Sequence, residues 1–460
     1  MSSQNIKPGH LGNLTEEQEA KLLEMWTVLF KLFGIKLEAG PLQKSATSTS
    51  NAPESTADGK KKSKRSFFGL GGSKKEEAPS TESSTTSIQN LSLSDTDDKY
   101  GQNKEFKQAI ADLTPDQLRE SLWTMIKADH PDALLLRFLR ARKWDVDRAV
   151  VMLISTIRWR LVEMHVDDDI MSGGEAKAIE MSKSSDPDTK RLGTDFMAQT
   201  RMVHMIETAR LMLLRPVETA VIVFDMSGFT LANMDYSPVK FIIKCFEANY
   251  PESLGAVLIH QAPWLFSGIW KIIKGWLDPV VASKVHFTNS VEDLEAFIDR
   301  SRILKELGGD EDGGFEYIEV QPGENDLMKD TVKRDEIIAK NKAIAEEIQG
   351  ATKSWIEAAK KNDRETVKSS KAKREELAAK YAQGYWELDP YIRARSLYDR
   401  NGVIQGDGKI LFYPNKDAEK TTKDNNSSGP SETATPALEE EKVAEPTAPE
   451  TNVAVTASAN

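Results

Sequence analysis

The residues of this chain that could do chemistry are few, and their spacing argues against most reactions. Six histidines, His10, His130, His165, His204, His260 and His286, lie far apart with no close pair and no cysteine beside them, so no metal-ligand spacing is present. His260 sits in an apolar run and reads as a hydrogen-bonded core histidine rather than a catalytic base. The single cysteine, Cys245, reads as packing and not as a nucleophile; it cannot form an internal disulfide, which suits a reducing cytosol. A phosphate-cradling loop would need glycines between a strand and a helix. The nearest candidate, GDGKI at residues 406–410, lacks the first glycine and the Ser or Thr, and DMSGF at residues 225–229 offers one glycine, which is only a turn. No Gly-x-Ser-x-Gly nucleophile elbow exists. The expectation is a protein that is not an enzyme, with no cofactor and no metal.

What stands out instead is apolar. Residues 249–284, NYPESLGAVLIHQAPWLFSGIWKIIKGWLDPVVASK, read as turn, buried strand, loop, very apolar helix, proline turn and lysine. In that helix Leu265, Phe266, Ile269, Trp270, Ile272, Ile273, Trp276 and Leu277 cover well over half of the wheel, leaving Ser267, Lys271 and Lys274 on a narrow polar side. Two readings are open: a fully buried core helix, or a movable lid over an apolar cavity.

The 460 residues exceed one compact domain, yet much of the chain is too polar to pack, which predicts one ordered core with tails. A net charge of -11 argues against a dedicated nucleic-acid binder. No apolar run approaches the ~20 residues of a spanning helix, and neither a signal-peptide core, a glycine at position 2 nor a C-terminal prenylation box is read. A soluble protein with peripheral membrane contact follows.

In chain order, residues 13–35 predict an amphipathic helix with Thr15 and Gln18 as a capping box and Leu22, Met25, Trp26, Leu29, Phe30 and Phe33 on one face. It is expected to dock on the core, because Glu16, Glu17, Glu19 and Glu24 on its polar face would be repelled by an anionic bilayer. Residues 40–103 read as a disordered Ser/Lys-rich linker; within it KKKSKRSFFGLGGSKK, residues 60–75, is either a membrane-surface patch or a solvated or targeting run. Residues 104–165 predict a compact all-helical subdomain, with Thr114, His130-Pro131 and Asp145 as boundaries. Residues 172–185 read as a loose loop and 202–214 as a helix. The runs 219–225, 255–260 and 284–288 are continuous apolar strands separated by helices, which implies an α/β unit whose parallel sheet is buried on both faces. Residues 330–413 read as a helical extension, its first part charged and exposed, and 414–460 as a disordered acidic tail with four lysines against nine acids.

Two blocks, DALLLRFLRARKWDVDRAVVMLISTIRWR at 132–160 and YPESLGAVLIHQAPWLFSGIWKIIKGWLDPVVASKV at 250–285, with a strand between them ending in Asp225 and Gly228, resemble the CRAL-TRIO lipid-transfer family. The linker and WELDPYIRARSLYD at 386–399 look most like its fungal phosphatidylinositol-transfer branch. The resemblance implies a mixed, mostly parallel sheet with a gate helix, over residues 196–310, preceded by the helical subdomain. It implies that Arg142, Lys143, Glu252 and Lys284 hold the inositol phosphate headgroup, by charge and by hydrogen bonds to its hydroxyls. It also implies that Trp264, Phe266, Ile269, Trp270, Ile273, Trp276 and Leu277 form the gate and acyl-chain pocket. Three departures bear on the ligand: Val281 replaces a threonine, Ala232 replaces a hydroxyl residue beyond Thr230, and the stretch between Phe196 and Met202 is short where the family carries its first strands and choline-binding tyrosines. The resemblance therefore implies phosphatidylinositol without phosphatidylcholine as cargo. It implies a monomer in the cytoplasm, touching microsomal or endosomal membranes transiently, with no nucleic-acid partner.

Overall fold

The computed structural model describes residues 6–38, 91–93, 98–183, 187–213, 215–312, 316–413 and 454–456, with backbone alone at 182, 187–198 and 454–456. The basic run at 60–75 lies outside the described residues.

Helix α1 (Glu16–Leu32) starts where Thr15 and Gln18 exchange hydrogen bonds, and its Leu22, Met25, Trp26, Leu29 and Phe30 are fully buried. Helices α2 (Gln102–Asp112), α3 (Pro115–Ile126), α4 (Pro131–Ala141) and α5 (Val146–Arg158) follow. Each boundary has a local cause: Thr114 caps α3 ahead of Pro115, the His130 ring accepts from the Asp132 amide at the start of α4, and Asp145 caps α5. Residues 159–171 continue as wider π-type turns, and α6 (Ser172–Ser182) and α7 (Pro187–Met212) bring the chain to the sheet. The loop expected at 172–185 is thus mostly helix. Gly174, at φ 54, kinks it where the backbone meets Ala394, and the helix formers Glu175 to Ala178 then continue it.

The sheet comprises β1 (Ala220–Asp225), β2 (Leu254–His260), β3 (Val285–Thr288) and β4 (Ala454–Thr456), in the order β3-β2-β1-β4 and parallel throughout. The connections supply α8 (Tyr236–Lys244), α9 (Phe266–Lys274) and, beyond β3, α10 (Val291–Glu295). Strand alternation sorts the two faces: Val221, Val223, Ala256 and Leu258 meet Leu294, Ile298 and Ile303, whereas Phe224, Val257 and Ile259 meet α9. β4 comes from the segment read as a featureless acidic tail; residues 414–453 before it lie outside the described residues.

Helices α11 (Thr331–Lys360) and α12 (Arg364–Ile392) form an antiparallel pair. The exposed extension expected for residues 330–382 is corrected here, since Ile348, Trp355, Ile356, Leu377 and Tyr381 join the same core as α1, α3, α4 and α5. The reason is the buried Arg374, whose guanidinium makes a two-point ion pair with Asp132 (2.6 Å each) and a 2.8 Å hydrogen bond to Thr352, while Trp26 donates to Asp132 at 2.7 Å. Burial raises the Asp132 carboxyl, but Arg374 outweighs it and holds the group at about 2. Three distant segments are tied at one carboxylate.

Candidate functional site

The strands run parallel, so β1, β2 and β3 begin at one edge of the sheet, and the polar residues of interest gather there. Lys284, one residue before β3, is half-buried and its Nζ donates to the Leu254 carbonyl at 2.7 Å, at the first residue of β2. Glu252 lies two residues before β2; its carbonyl accepts from Arg137 Nη1 at 2.8 Å, and the same nitrogen donates to the Glu218 carbonyl just before β1. Arg137 therefore stitches helix α4 to two strand starts, a role its place among surface-patterned arginines conceals in the sequence. The Glu252 carboxylate and the exposed Lys143 ammonium have no hydrogen bond or ion pair among the described residues. Both residues hold left-handed backbone, φ 56 and φ 51, which costs a non-glycine residue about 1–2 kcal/mol. Arg142 closes α4 and donates to Gln102 at 2.8 Å; Gln102 in turn donates to the Ala248 carbonyl, four residues before Glu252. The structure thus places Glu252 and Lys284 at adjacent strand starts, with Arg142 and Lys143 in the turn after α4 that reaches this edge through Gln102.

From the far end of β2 the chain crosses back over the sheet as α9. The apolar face of this helix is down: Phe266, Ile269 and Ile273 are buried against Ile243, Ile259 and Phe224, with Phe229 edge-on to Phe266 at a ring distance of 5.6 Å and Phe287 tilted against it at 6.2 Å. Trp270 and Trp276 are half-buried, against Phe287 and Tyr236 respectively, and Leu277 packs on the same cluster. Trp264, just before the helix, is 88% exposed, and Ile272 and Val280 are also largely in water. Neither extreme of the two sequence readings describes α9: one face is core and the other is bare.

The end of α9 is held by a contact that the sequence hides. Glu247 Oε1 accepts from the Asp278 amide at 2.7 Å, and its Oε2 accepts from Lys99 at 2.8 Å and from Tyr100 at 2.6 Å. Lys99 also donates to the Trp276 carbonyl. Burial and the Glu247 charge push the Tyr100 phenol well above its ordinary value, so the hydroxyl stays a donor. Lys99 and Tyr100, expected within the disordered linker 40–103, are instead placed and pin the carboxyl end of α9. Only the acidic side chain within an apolar helical run could have signalled it.

Other polar residues on the sheet are structural. His260 Nδ1 meets Thr288 Oγ1 at 3.0 Å, and burial drives the imidazole pKa down. The Cys245 thiol is pushed up to about 12 by burial. Among the described residues no group of three His, Cys, Asp or Glu is placed to hold a metal ion, and no helix is long and apolar enough to cross a membrane.

Comparison with known proteins matches residues 102–155 to the CRAL/TRIO N-terminal domain and residues 182–309 to the CRAL/TRIO domain. The chain is 36% identical over 442 residues to the phosphatidylinositol transfer protein CSR1 of Eremothecium gossypii, covering 88% of this chain and 100% of that protein. It is 39% identical over 419 residues to a CRAL-TRIO domain-containing protein of Schizosaccharomyces pombe, covering 86% of this chain and 92% of that one. A crystal structure of Sfh5 aligns with a TM-score of 0.33 at 14% identity, over 53% of this chain and 94% of that chain, too weak a likeness to argue from. With two relatives above 30% identity over most of its length, this chain belongs to the CRAL-TRIO family.

Proposed function

We propose that this protein binds phosphatidylinositol and carries it between membranes by opening and closing α9, without making or breaking a bond. The observation that supports this most directly is the closed α9, lying across the sheet with Glu252 and Lys284 at the strand starts toward which its connection returns. A diacyl lipid carries some thirty methylenes, each worth about 0.8 kcal/mol against water, so the chains must pass from bilayer to protein without being wetted. A hinged helix meets that demand: α9 swings out at the bilayer, Lys271 and Lys274 face the headgroups, and the acyl chains take the place that its buried face had on Phe224, Ile259 and Ile243. At the strand starts Lys284 and Lys143 offer cations to the phosphodiester, while the Glu252 carboxylate accepts from inositol hydroxyls; Arg142 lies behind them through Gln102. The lipid is drawn from cytoplasmic membrane surfaces and the carrier works as a monomer.

One observation favours a second reading, a lipid-free scaffold that works through its extensions: the buried face of α9 rests on side chains, not on an open cavity. Mass spectrometry of lipid co-purified with the intact protein separates the two. A stoichiometric phosphatidylinositol signal, lost in Lys284→Ala, is expected; protein purified empty from membranes that contain the lipid refutes the carrier, and a sterol in its place reassigns the cargo.

A further inference from the structure

On the sheet face turned away from α9 lies a cavity of about 680 Å³, bounded by α6, α7, the end of β1, residues 304–307, residues 317–319 and residues 396–398. That size falls in the ~300–1,000 Å³ range that holds one small organic ligand. Its greasy wall includes Ile170, Ile179, Met205, Val223 and Leu397. Val223 belongs to the face opposite Phe224, and no residue of the gate touches the space. Much of the wall, from Asp169 to Met181 and from Tyr317 to Tyr398, falls outside the segments 102–155 and 182–309 that match the family. This is not the lipid site described above.

Among the described residues two polar atoms in the wall have no hydrogen-bond partner. The Thr208 hydroxyl, on a residue only 1% exposed, and His204 Nε2 are buried without a hydrogen bond. They are four residues apart on α7, hence one above the other on a single helix face. Buried polar groups are nearly always satisfied, and an orphaned pair beside an empty space asks for a ligand atom. The charges of the wall restrict what that ligand is. Asp169 and Lys177 pair with each other and Glu175 pairs with Arg400, whereas Asp225, Glu306 and Glu319 outnumber Lys183 and Arg201. An anionic head would be repelled; burial lowers the His204 pKa, so the imidazole four residues from Thr208 is neutral and suits a hydrogen-bonding head better than a charged one. A hydroxyl or carbonyl head matches both a threonine hydroxyl and a neutral imidazole.

We propose that this cavity is a second ligand site, separate from the gate, for an uncharged amphiphile with a hydroxyl- or carbonyl-bearing head and a hydrocarbon tail, of the monoacylglycerol class. The head bonds to Thr208 and His204 and the tail lies along the wall that the C-terminal extension closes.

The test uses the full chain and 1-monooleoylglycerol below its aggregation concentration, with hexadecane and oleate as comparators. Saturable binding of one monooleoylglycerol per chain is expected, at least tenfold tighter than either comparator. Thr208→Val is expected to weaken it about tenfold and Ala178→Trp, which fills the cavity, to abolish it, with phosphatidylinositol transfer and the thermal midpoint unchanged. A photoreactive monooleoylglycerol on the unaltered chain is expected to label peptides carrying residues 169–181 or 396–398, which decides the matter if a variant fails to fold. Equal binding of hexadecane or oleate, indifference to both substitutions, or labelling confined to residues 264–277 would overturn the site. Loss of phosphatidylinositol transfer in Lys284→Ala with monooleoylglycerol binding intact is expected; loss of both together would place the ligand under the gate and sink the proposal.

Discussion

If α9 opens at the bilayer as proposed, replacing Trp264 by glutamate separates what this helix does at a membrane from what it does in water. The side chain is 88% exposed, so the closed state loses almost no packing, and a surface change of this kind moves stability by no more than about 0.5 kcal/mol. In the membrane-engaged state the accounting differs. The indole leaves water there, a transfer worth about 2–3 kcal/mol, and the new carboxylate meets an anionic surface at a cost of ~1 kcal/mol. Together these weaken engagement by about 3–4 kcal/mol, a few hundredfold in partition. Exposed Ile272 and Val280 remain as residual anchors, so transfer falls steeply without vanishing. The assay is flotation with anionic vesicles, paired with transfer of labelled phosphatidylinositol from donor to acceptor vesicles and a thermal midpoint as control. A variant with wild-type midpoint that transfers within threefold of the wild-type rate would refute engagement through this end of α9.

Three further outcomes are expected. Lys284→Ala removes a cation from the proposed phosphate contact and, at about 1.5–3 kcal/mol for a charged hydrogen bond, lowers phosphatidylinositol retention at least tenfold in a competitive uptake assay. Lys99→Met removes one strand of the pin at Glu247, a half-exposed pair worth no more than about 1 kcal/mol, so hydrogen exchange over residues 266–278 should quicken several-fold while the rest of the chain is unchanged. In acid, Asp132 is depressed from its ordinary 3.8 to about 2 and carries stability that is whole above pH ~4 and is lost as pH falls through ~2, about 2 kcal/mol in all. Burial lowers His130, so its contribution is whole above the ordinary 6.5 and shrinks as pH drops below it. Denaturant unfolding at pH 7.5, 5 and 3 should therefore show two steps of destabilisation, the acid one smaller in Asp132→Leu paired with Arg374→Leu and its remainder carried by Glu207, Asp389 and Asp399, whose carboxyls are depressed by their own arginines.

The strands were legible because a parallel sheet covered on both faces selects uninterrupted β-branched runs, and AVIVFD and LGAVLIH leave little else to be. Caps were legible for a similar reason: Thr15, Thr114 and Asp145 each act within three residues of themselves. What stayed hidden depends on pairs far apart in sequence. Arg374 looks like one more charge on a charged helix until Asp132, 242 residues away, is seen to meet it. The apolar residues of α11 and α12 are too sparse to make a seam in either helix alone; laid side by side they add Ile348, Trp355, Ile356, Leu377 and Tyr381 to the core built by α1 to α5. Glu247 likewise gains its meaning from Lys99, Tyr100 and Asp278 arriving from both sides. Lys284 and Glu252 came to attention only through resemblance, since one lysine and one glutamate near turns carry no signal of their own.

The short stretch at 196–202 has a consequence that runs through the whole sheet. Where the resemblance implies strands upstream of β1, this chain stays helical from Pro187 to Met212 and enters β1 directly. The outer edge of β1 would then present a row of backbone groups with no neighbour, a liability in any sheet. Ala454–Thr456 pairs with Val221–Val223 along that edge, a match in which backbone bonds do the work and side-chain identity matters little. The space beside Val223 and Asp225 is bordered by α6, α7 and the segment around Leu397, meeting at side chains that do not fill it. The other face of the sheet carries α9 on Phe224, Val257 and Ile259. The buried face of α9 and the cavity therefore lie on opposite faces of the same sheet.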